Sequence, residues 1–158
     1  MIMKTKNFRG GFTLLFAVLI STLLLAIGVA IYNITVKQVI LSAAGRDSQL
    51  AFYAADTGAE CAIYWDLKNG ATSAFNPSTP TSIVCNNQSV SVGGAGNIST
   101  FSFNFAPDTY CVTVQVTKGD PNYDTIIESR GYNVGEVSGN SCVSTDSRRL
   151  ERAVRVRY

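Results

Sequence analysis

The residues able to do chemistry are few in kind: four cysteines, eleven carboxylates and no histidine in 158 positions. Without histidine, acid–base work near neutral pH falls to carboxylates or lysines with displaced pKa values, and no nucleophile–base pair is clustered. Asp56 and Glu60 stand four apart on one helix face, where a subunit contact or cap interaction fits better than an acid–base pair. The chain is therefore not expected to be an enzyme. Cys61, Cys85, Cys111 and Cys142 follow one another at separations of 24, 26 and 31 residues. That spacing lacks the C-x₂-C pairs of a zinc site and the C-x-x-C of a redox centre. Beyond a membrane, four spread cysteines read as two disulfides with three pairings open; free buried thiols are the other reading. Asp120-x-Asn122-x-Asp124 has the opening of a calcium loop, but Thr125 stands where glycine is wanted and Gly131 where glutamate is. Pro121 fits a simple turn there. No metal or cofactor is expected.

Charge narrows the partners. Lys4, Lys6 and Arg9 belong to the first eleven residues, so the remaining chain carries ten basic residues against eleven acidic ones. The formal +2 is a property of that leader. Arg148, Arg149, Arg152, Arg155 and Arg157 crowd the carboxyl end, yet without an overall basic excess no nucleic-acid partner is expected. Arg155 and Arg157 share one strand face, which reads as solvated and paired across strands with residues such as Glu128.

These groups must be positioned by a long helix and a small sheet. Phe12 to Val36 is 25 residues without charge, enough to cross a hydrocarbon core of ~30 Å. Basic residues lie only on its amino side, which predicts that end in the cytoplasm. Gly28-Val29-Ala30 offers a signal-peptidase site, but the uncharged run reaches Ala30 only after 19 residues, against about 7 to 15 in a signal peptide. Apolar or small residues then recur at 36, 40, 43, 50, 54, 58, 61 and 65, broken only by Asp47, and the first proline is Pro77. The pattern predicts one helix from Phe12 to about Asp66: a transmembrane half over 12–36 and an amphipathic half over 37–66. Residues 67–80 read as a linker. Over 81–158, β-patterned segments span Thr81–Cys85, Gln88–Val92, Ser99–Phe105, Thr109–Lys118, Asp124–Tyr132 and Leu150–Tyr158. Gly93-Gly94-Ala95-Gly96 and Gly119-Asp120-Pro121-Asn122 read as turns. The fold class is α+β, a long amino-terminal helix packed on a small antiparallel sheet.

The run Arg9-Gly10-Gly11-Phe12-Thr13-Leu14-Leu15 resembles the amino-terminal signature of the type IV pilin and pseudopilin superfamily: a basic leader ending in glycine, a phenylalanine and a long apolar helix. That resemblance implies residues 1–11 as a leader cut by prepilin peptidase between Gly11 and Phe12, with N-methylation of Phe12. It implies filament contacts with other pilins or pseudopilins through Phe12, Thr13, Leu14 and Phe16. The family's major subunits carry glutamate at the fifth mature position, which is Phe16 here, and a proline some twenty residues in, which is absent. Both departures resemble the minor-pilin branch, the PilX-like and K-type pseudopilin proteins. Ser48-Gln49-Leu50-Ala51-Phe52-Tyr53-Ala54-Ala55-Asp56-Thr57-Gly58-Ala59-Glu60 is similar to the LAFxAAEAG stretch of PilX-like minor pilins, with Asp56 for glutamate. An Ala-rich helix packing closely on a sheet accounts for the same residues.

The expected function is a minor pilin-like structural subunit, acting in assembly priming or tip display of a type IV pilus-like filament. A type II secretion pseudopilin and a single-pass anchored binding domain that never assembles are the alternatives. The expected location is the cytoplasmic membrane, single-pass with the amino terminus inside and inner-membrane lipid around the helix, and then an extracytoplasmic filament or the cell surface.

Overall fold

Small side chains on one helical face dictate how this protein packs. The computed structural model describes residues 10–68, 73–75, 82–107, 109–119 and 124–158. Helix α1 spans Gly10–Leu67, and strands β1 to β9 span Ser82–Cys85, Gln88–Ser91, Gly93–Ala95, Ile98–Asn104, Cys111–Lys118, Thr125–Tyr132, Glu136–Ser138, Ser141–Val143 and Glu151–Arg157. The chain divides into two compact units, one ending at Ala43 and one running from Ala44 to Tyr158. The leader residues Lys4, Lys6 and Arg9, most of the segment read as a linker, and Asp120 to Asn122 lie outside the described residues.

In the second unit, five strands form an antiparallel sheet in the order β3-β4-β5-β6-β9, with the hairpins β1-β2 and β7-β8 beside it. Alternation sets its two faces. Val112, Val114 and Val116 of β5, Phe101 and Phe103 of β4, and Ile127 of β6 are fully or almost fully buried on the face that shares a core with α1. Cys111 and Tyr132 point the other way and, with Cys142, form a second small cluster. Asn86 and Asn87 turn the first hairpin, both at positive φ (49° and 58°), the conformation a two-residue type I′ turn demands.

The helix meets the sheet through Ala51, Ala54, Ala55, Gly58, Ala59 and Ala62, all buried and spaced three or four apart. Gly131 of β6 lies directly beneath: a Cβ there would collide with the Ala51 carbonyl oxygen and the Ala55 nitrogen. One turn on, a Cβ on Gly58 would stand 2.5 Å from Ser129 Oγ and 2.7 Å from Val112 Cγ2. Small residues on both surfaces let main chain approach main chain.

The structure corrects several expectations. The buried stripe is 51, 54, 55, 58, 59, 62 and 66; Cys61 and Trp65 flank it at intermediate burial, and Val36, Ile40 and Ala43 are exposed. Ala54 and Gly58 of the expected stripe are buried, but the rest of the contact is made by small residues one position away from it. Gly93-Gly94-Ala95 is a strand, not a turn; it pairs with Ile98–Thr100, and the turn is Gly96–Asn97. Hairpin β7-β8 falls in a stretch with no strand expected. Ala74 and Phe75, in the presumed linker, are buried, and Phe75 stacks on Phe101 at 5.7 Å.

The Gly131→Ala protein should lose about 3 kcal/mol of stability. Gly45→Ala, in an open helical position with nothing within 4 Å, should be neutral or gain about 0.5 to 1 kcal/mol. Denaturant midpoints of the two variants in detergent micelles check both.

Candidate functional site

The 25 uncharged residues from Phe12 to Val36 include many large apolar side chains left exposed. Every residue from Gly11 to Arg46 is exposed. Gly11 and Phe12 sit in the opening turn of α1, and Phe12, Leu14 and Phe16 are 77, 69 and 55% exposed. Thr13 lies between them, equally open to solvent. Phe12 and Phe16, one turn apart, stack with ring centroids 6.4 Å apart and planes 13° from parallel. The structure therefore brings Phe12 and Phe16 together, and places Thr13 and Leu14 on neighbouring faces of the same turn.

Three hydroxyls in this segment bond back to its own carbonyls. Ser21 Oγ donates to the Ala17 carbonyl at 2.7 Å, Thr22 Oγ1 to Leu19 at 2.9 Å and Thr35 Oγ1 to Ile31 at 2.9 Å. With most of its amides in helical bonds and these three hydroxyls returned to its own carbonyls, the segment carries a reduced polar cost on entering hydrocarbon. The helix is long and apolar enough to cross a membrane. Such an exposed apolar surface is of the kind that suits lipid or neighbouring helices.

In the second unit, the cysteines choose one of their three pairings. Cys61 of α1 bonds Cys85 of β1, and Cys111 of β5 bonds Cys142 of β8, each with Cα atoms 6.0 Å apart. The first joins the helix to hairpin β1-β2, reinforced by Trp65 Nε1 donating to the Val84 carbonyl at 3.0 Å. The second pins hairpin β7-β8 to the sheet, where Thr113 Oγ1 accepts from Cys142 N at 2.8 Å. Closing loops of this size stabilises by about 3 to 4 kcal/mol each.

Charged side chains also serve as fasteners. Asp66, 5% exposed, ends the buried helical stripe. Lys118 Nζ lies 2.6 Å from its Oδ2, Tyr158 Oη donates to the same oxygen at 2.7 Å, and Ser73 Oγ donates to Oδ1. One carboxylate thus gathers the end of α1, the end of β5, the segment after α1 and the residue following β9. Burial opposes its charge, but the hydrogen bonds from Lys118, Ser73 and Tyr158 outweigh that and hold its pKa below the usual carboxylate value. Burial and the neighbouring Asp66 push the Tyr158 phenol well above its usual range.

On the outer sheet face, Glu128 lies opposite Arg155, as the strand pattern predicts. It accepts from Arg155 and from Arg130 Nε at 2.8 Å, and these bonds lower its pKa. Arg149 donates to the Cys142 carbonyl at 2.7 Å and caps the Tyr132 ring at 3.8 Å. Arg148 stands 3.7 Å from Asp146, and Arg152 donates to Ser48 Oγ at 2.8 Å. Asp56 is half-buried and Glu60 exposed on the helix. Of the calcium-loop pattern, Asp124 accepts from Gly119 N at 3.0 Å through its carbonyl, while Thr125 and Gly131 belong to β6. Among the described residues no group of three or more His, Cys, Asp or Glu side chains could hold a metal ion.

The Asp66 cluster was missed by reasoning from sequence. Its signal was present: Asp66 falls four residues after Ala62 in the buried register, so a carboxylate there had to find donors. No family model, curated protein or solved structure matches the chain.

Non-reducing digestion and mass spectrometry should return the two bridged peptides Cys61–Cys85 and Cys111–Cys142 and no others. Asp66→Asn should cost about 3 kcal/mol, since it leaves Lys118 and Tyr158 facing a neutral amide. Because the folded pKa is depressed, the carboxylate's contribution is complete above its unfolded value near ~3.9 and lost as pH falls through the folded one. The stability gap between wild type and Asp66→Asn should therefore be flat above pH ~5 and close in more acidic solution, as denaturation at stepped pH would measure.

Proposed function

We propose that this protein is a minor pilin-like structural subunit of a type IV pilus-like filament, processed after Gly11 and working through its helix rather than through catalysis. The observation that carries the proposal is the Gly11-Phe12 junction at the start of a 58-residue helix whose 25 uncharged residues from Phe12 to Val36 are all exposed. A cleavage at Ile31 would discard the apolar half of a helix that continues without a break into the sheet-packed half. Retained, that half anchors the chain in the cytoplasmic membrane and later packs among other pilin helices. The antiparallel domain, stapled by two disulfides, suits an oxidising extracytoplasmic compartment.

Phe16 sets the role within the filament. In the resembling family the carboxylate at this position pairs with a neighbour's amino terminus. Here a phenyl ring stacks on Phe12 instead, so the subunit brings no counter-charge for another amino terminus in lipid. A subunit of that kind suits a priming or tip position better than the repeating body. Its partners are prepilin peptidase, inner-membrane lipid and other pilins.

The mature amino terminus, read by mass spectrometry of protein from a host with prepilin peptidase, tests this. N-methylated Phe12 is the expected result. An amino terminus at Ile31 would overturn the proposal, and an uncut Met1 would leave a simple membrane anchor in its place.

A further inference from the structure

Where β7 begins and β8 ends, the second unit holds a hollow of about 420 Å³ that opens to solvent. That volume falls within the ~300 to 1,000 Å³ of small-molecule sites. Gly135 lines it and rests on the Cys111–Cys142 bond: a Cβ there would stand 2.7 Å from Cys111 Sγ and 3.0 Å from Cys142 Sγ. The Gly135 amide donates to the Thr109 carbonyl at 2.7 Å, which ties the segment before β5 to the hairpin. On the hairpin itself Glu136 lies opposite Val143 in the strand register. Ser144 follows, its Oγ accepting from Asp146 N at 3.1 Å. A disulfide and main-chain bonds thus set the lining in advance, so a ligand has little left to order.

The lining has one electrical sign. Glu136 is its sole charged member among the described residues and forms no ion pair among them. Thr109 and Thr145 are exposed, with hydroxyls that have no hydrogen-bond partner among the described residues. The arginines that follow β8 are engaged elsewhere. Arg148 stands by Asp146, and Arg149 donates to the Cys142 carbonyl and caps the Tyr132 ring; neither lines the hollow. Val134 and Val143 supply apolar wall.

We propose that this hollow binds an alkylammonium group, with Glu136 as counter-charge and the Thr109, Ser144 and Thr145 hydroxyls as acceptors. An ammonium brings three donors and no acceptor, which is the complement of this lining. Its methylene stem lies against the valines, as long charged side chains do on apolar surface. An anion would meet the Glu136 carboxylate with no cation in the lining to offset it. The chemistry is that of a lysine side chain on a partner protein or of a free polyamine. It gives the second unit a binding function of its own, which goes beyond the filament reading and does not depend on cleavage after Gly11.

Titration of the full-length chain in non-ionic detergent micelles, with valine methyls labelled for NMR, tests the proposal. With n-butylammonium chloride the Val134 and Val143 methyls should shift and saturate, while the buried Val112 and Val114 methyls stay in place. Sodium butyrate and butanol should not reproduce the shifts. Glu136→Gln, at an exposed position, should weaken binding about tenfold, and Thr109→Val should weaken it less. Shifts that never saturate, that butyrate or butanol reproduces, or that Glu136→Gln leaves unchanged would overturn the proposal. Two further probes separate the sources. Tighter binding of Nα-acetyl-lysine N-methylamide than of putrescine assigns the site to a protein partner, and the reverse order assigns it to a polyamine. The state of the amino terminus changes none of these readings, so this proposal and the filament reading can fail separately.

Discussion

Contact between two main chains, the helix over Ala51 to Ala62 and strand β6 at Gly131, is the constraint from which the rest of the second unit follows. With no side chain at Gly131 and only methyl groups or hydrogen opposite, the helix settles low on the sheet. Val112 and Val114 of β5 then press directly against Gly58, and the phenylalanines of β4 complete the shared core. A larger residue at the contact would lift the helix and open the core along its flank. Cys61, Trp65 and Asp66 reach their partners on β1, β5 and the chain after β9 only because the helix lies that close.

The same helix obeys opposite rules in its two halves. From Phe12 to Leu41 its apolar residues are large and outward on all sides, while from Ala51 to Ala62 the inward residues are small. An all-round apolar helix has no preferred face and is suited to lipid or to neighbours approaching from several directions. A small-residue face is suited to one intimate partner, here supplied by the chain itself. Size, rather than hydrophobicity, separates the half that works outside the domain from the half that builds it.

The sequence disclosed what repeats and concealed what is tied down by single contacts. The helix from Phe12 to about Asp66 and the strands around Val112–Thr117 and Ala153–Arg157 follow strong periodicities and stand within a few residues of expectation. Gly93–Ala95 was opaque because glycine signals a turn locally, while its strand conformation depends on pairing with β4. Hairpin β7-β8 carries no alternating apolar pattern, since it is held by the Cys111–Cys142 bond, Thr113 and Arg149 rather than by buried faces of its own. Phe75 was hidden by the polar residues around it, though one aromatic is enough to bring its short segment into the core. For the candidate site, Gly11, Phe12 and Phe16 could be located by their order along the chain. The partners of the Asp66 carboxylate could not, because they come from positions 7, 52 and 92 residues away.

The Cys61–Cys85 bond has a mechanical consequence. A pull along the amino-terminal part of α1 enters the domain near Ser48 and loads the helix–sheet contact in shear, with many small contacts strained at once instead of one after another. Should they yield, the helix can slide only as far as Cys61, where the load passes into a covalent bond to β1. The bond thus acts as an end-stop: residues beyond it, including Asp66 and its gathered partners, stay sheltered from tension that reaches the domain through the amino-terminal part of the helix.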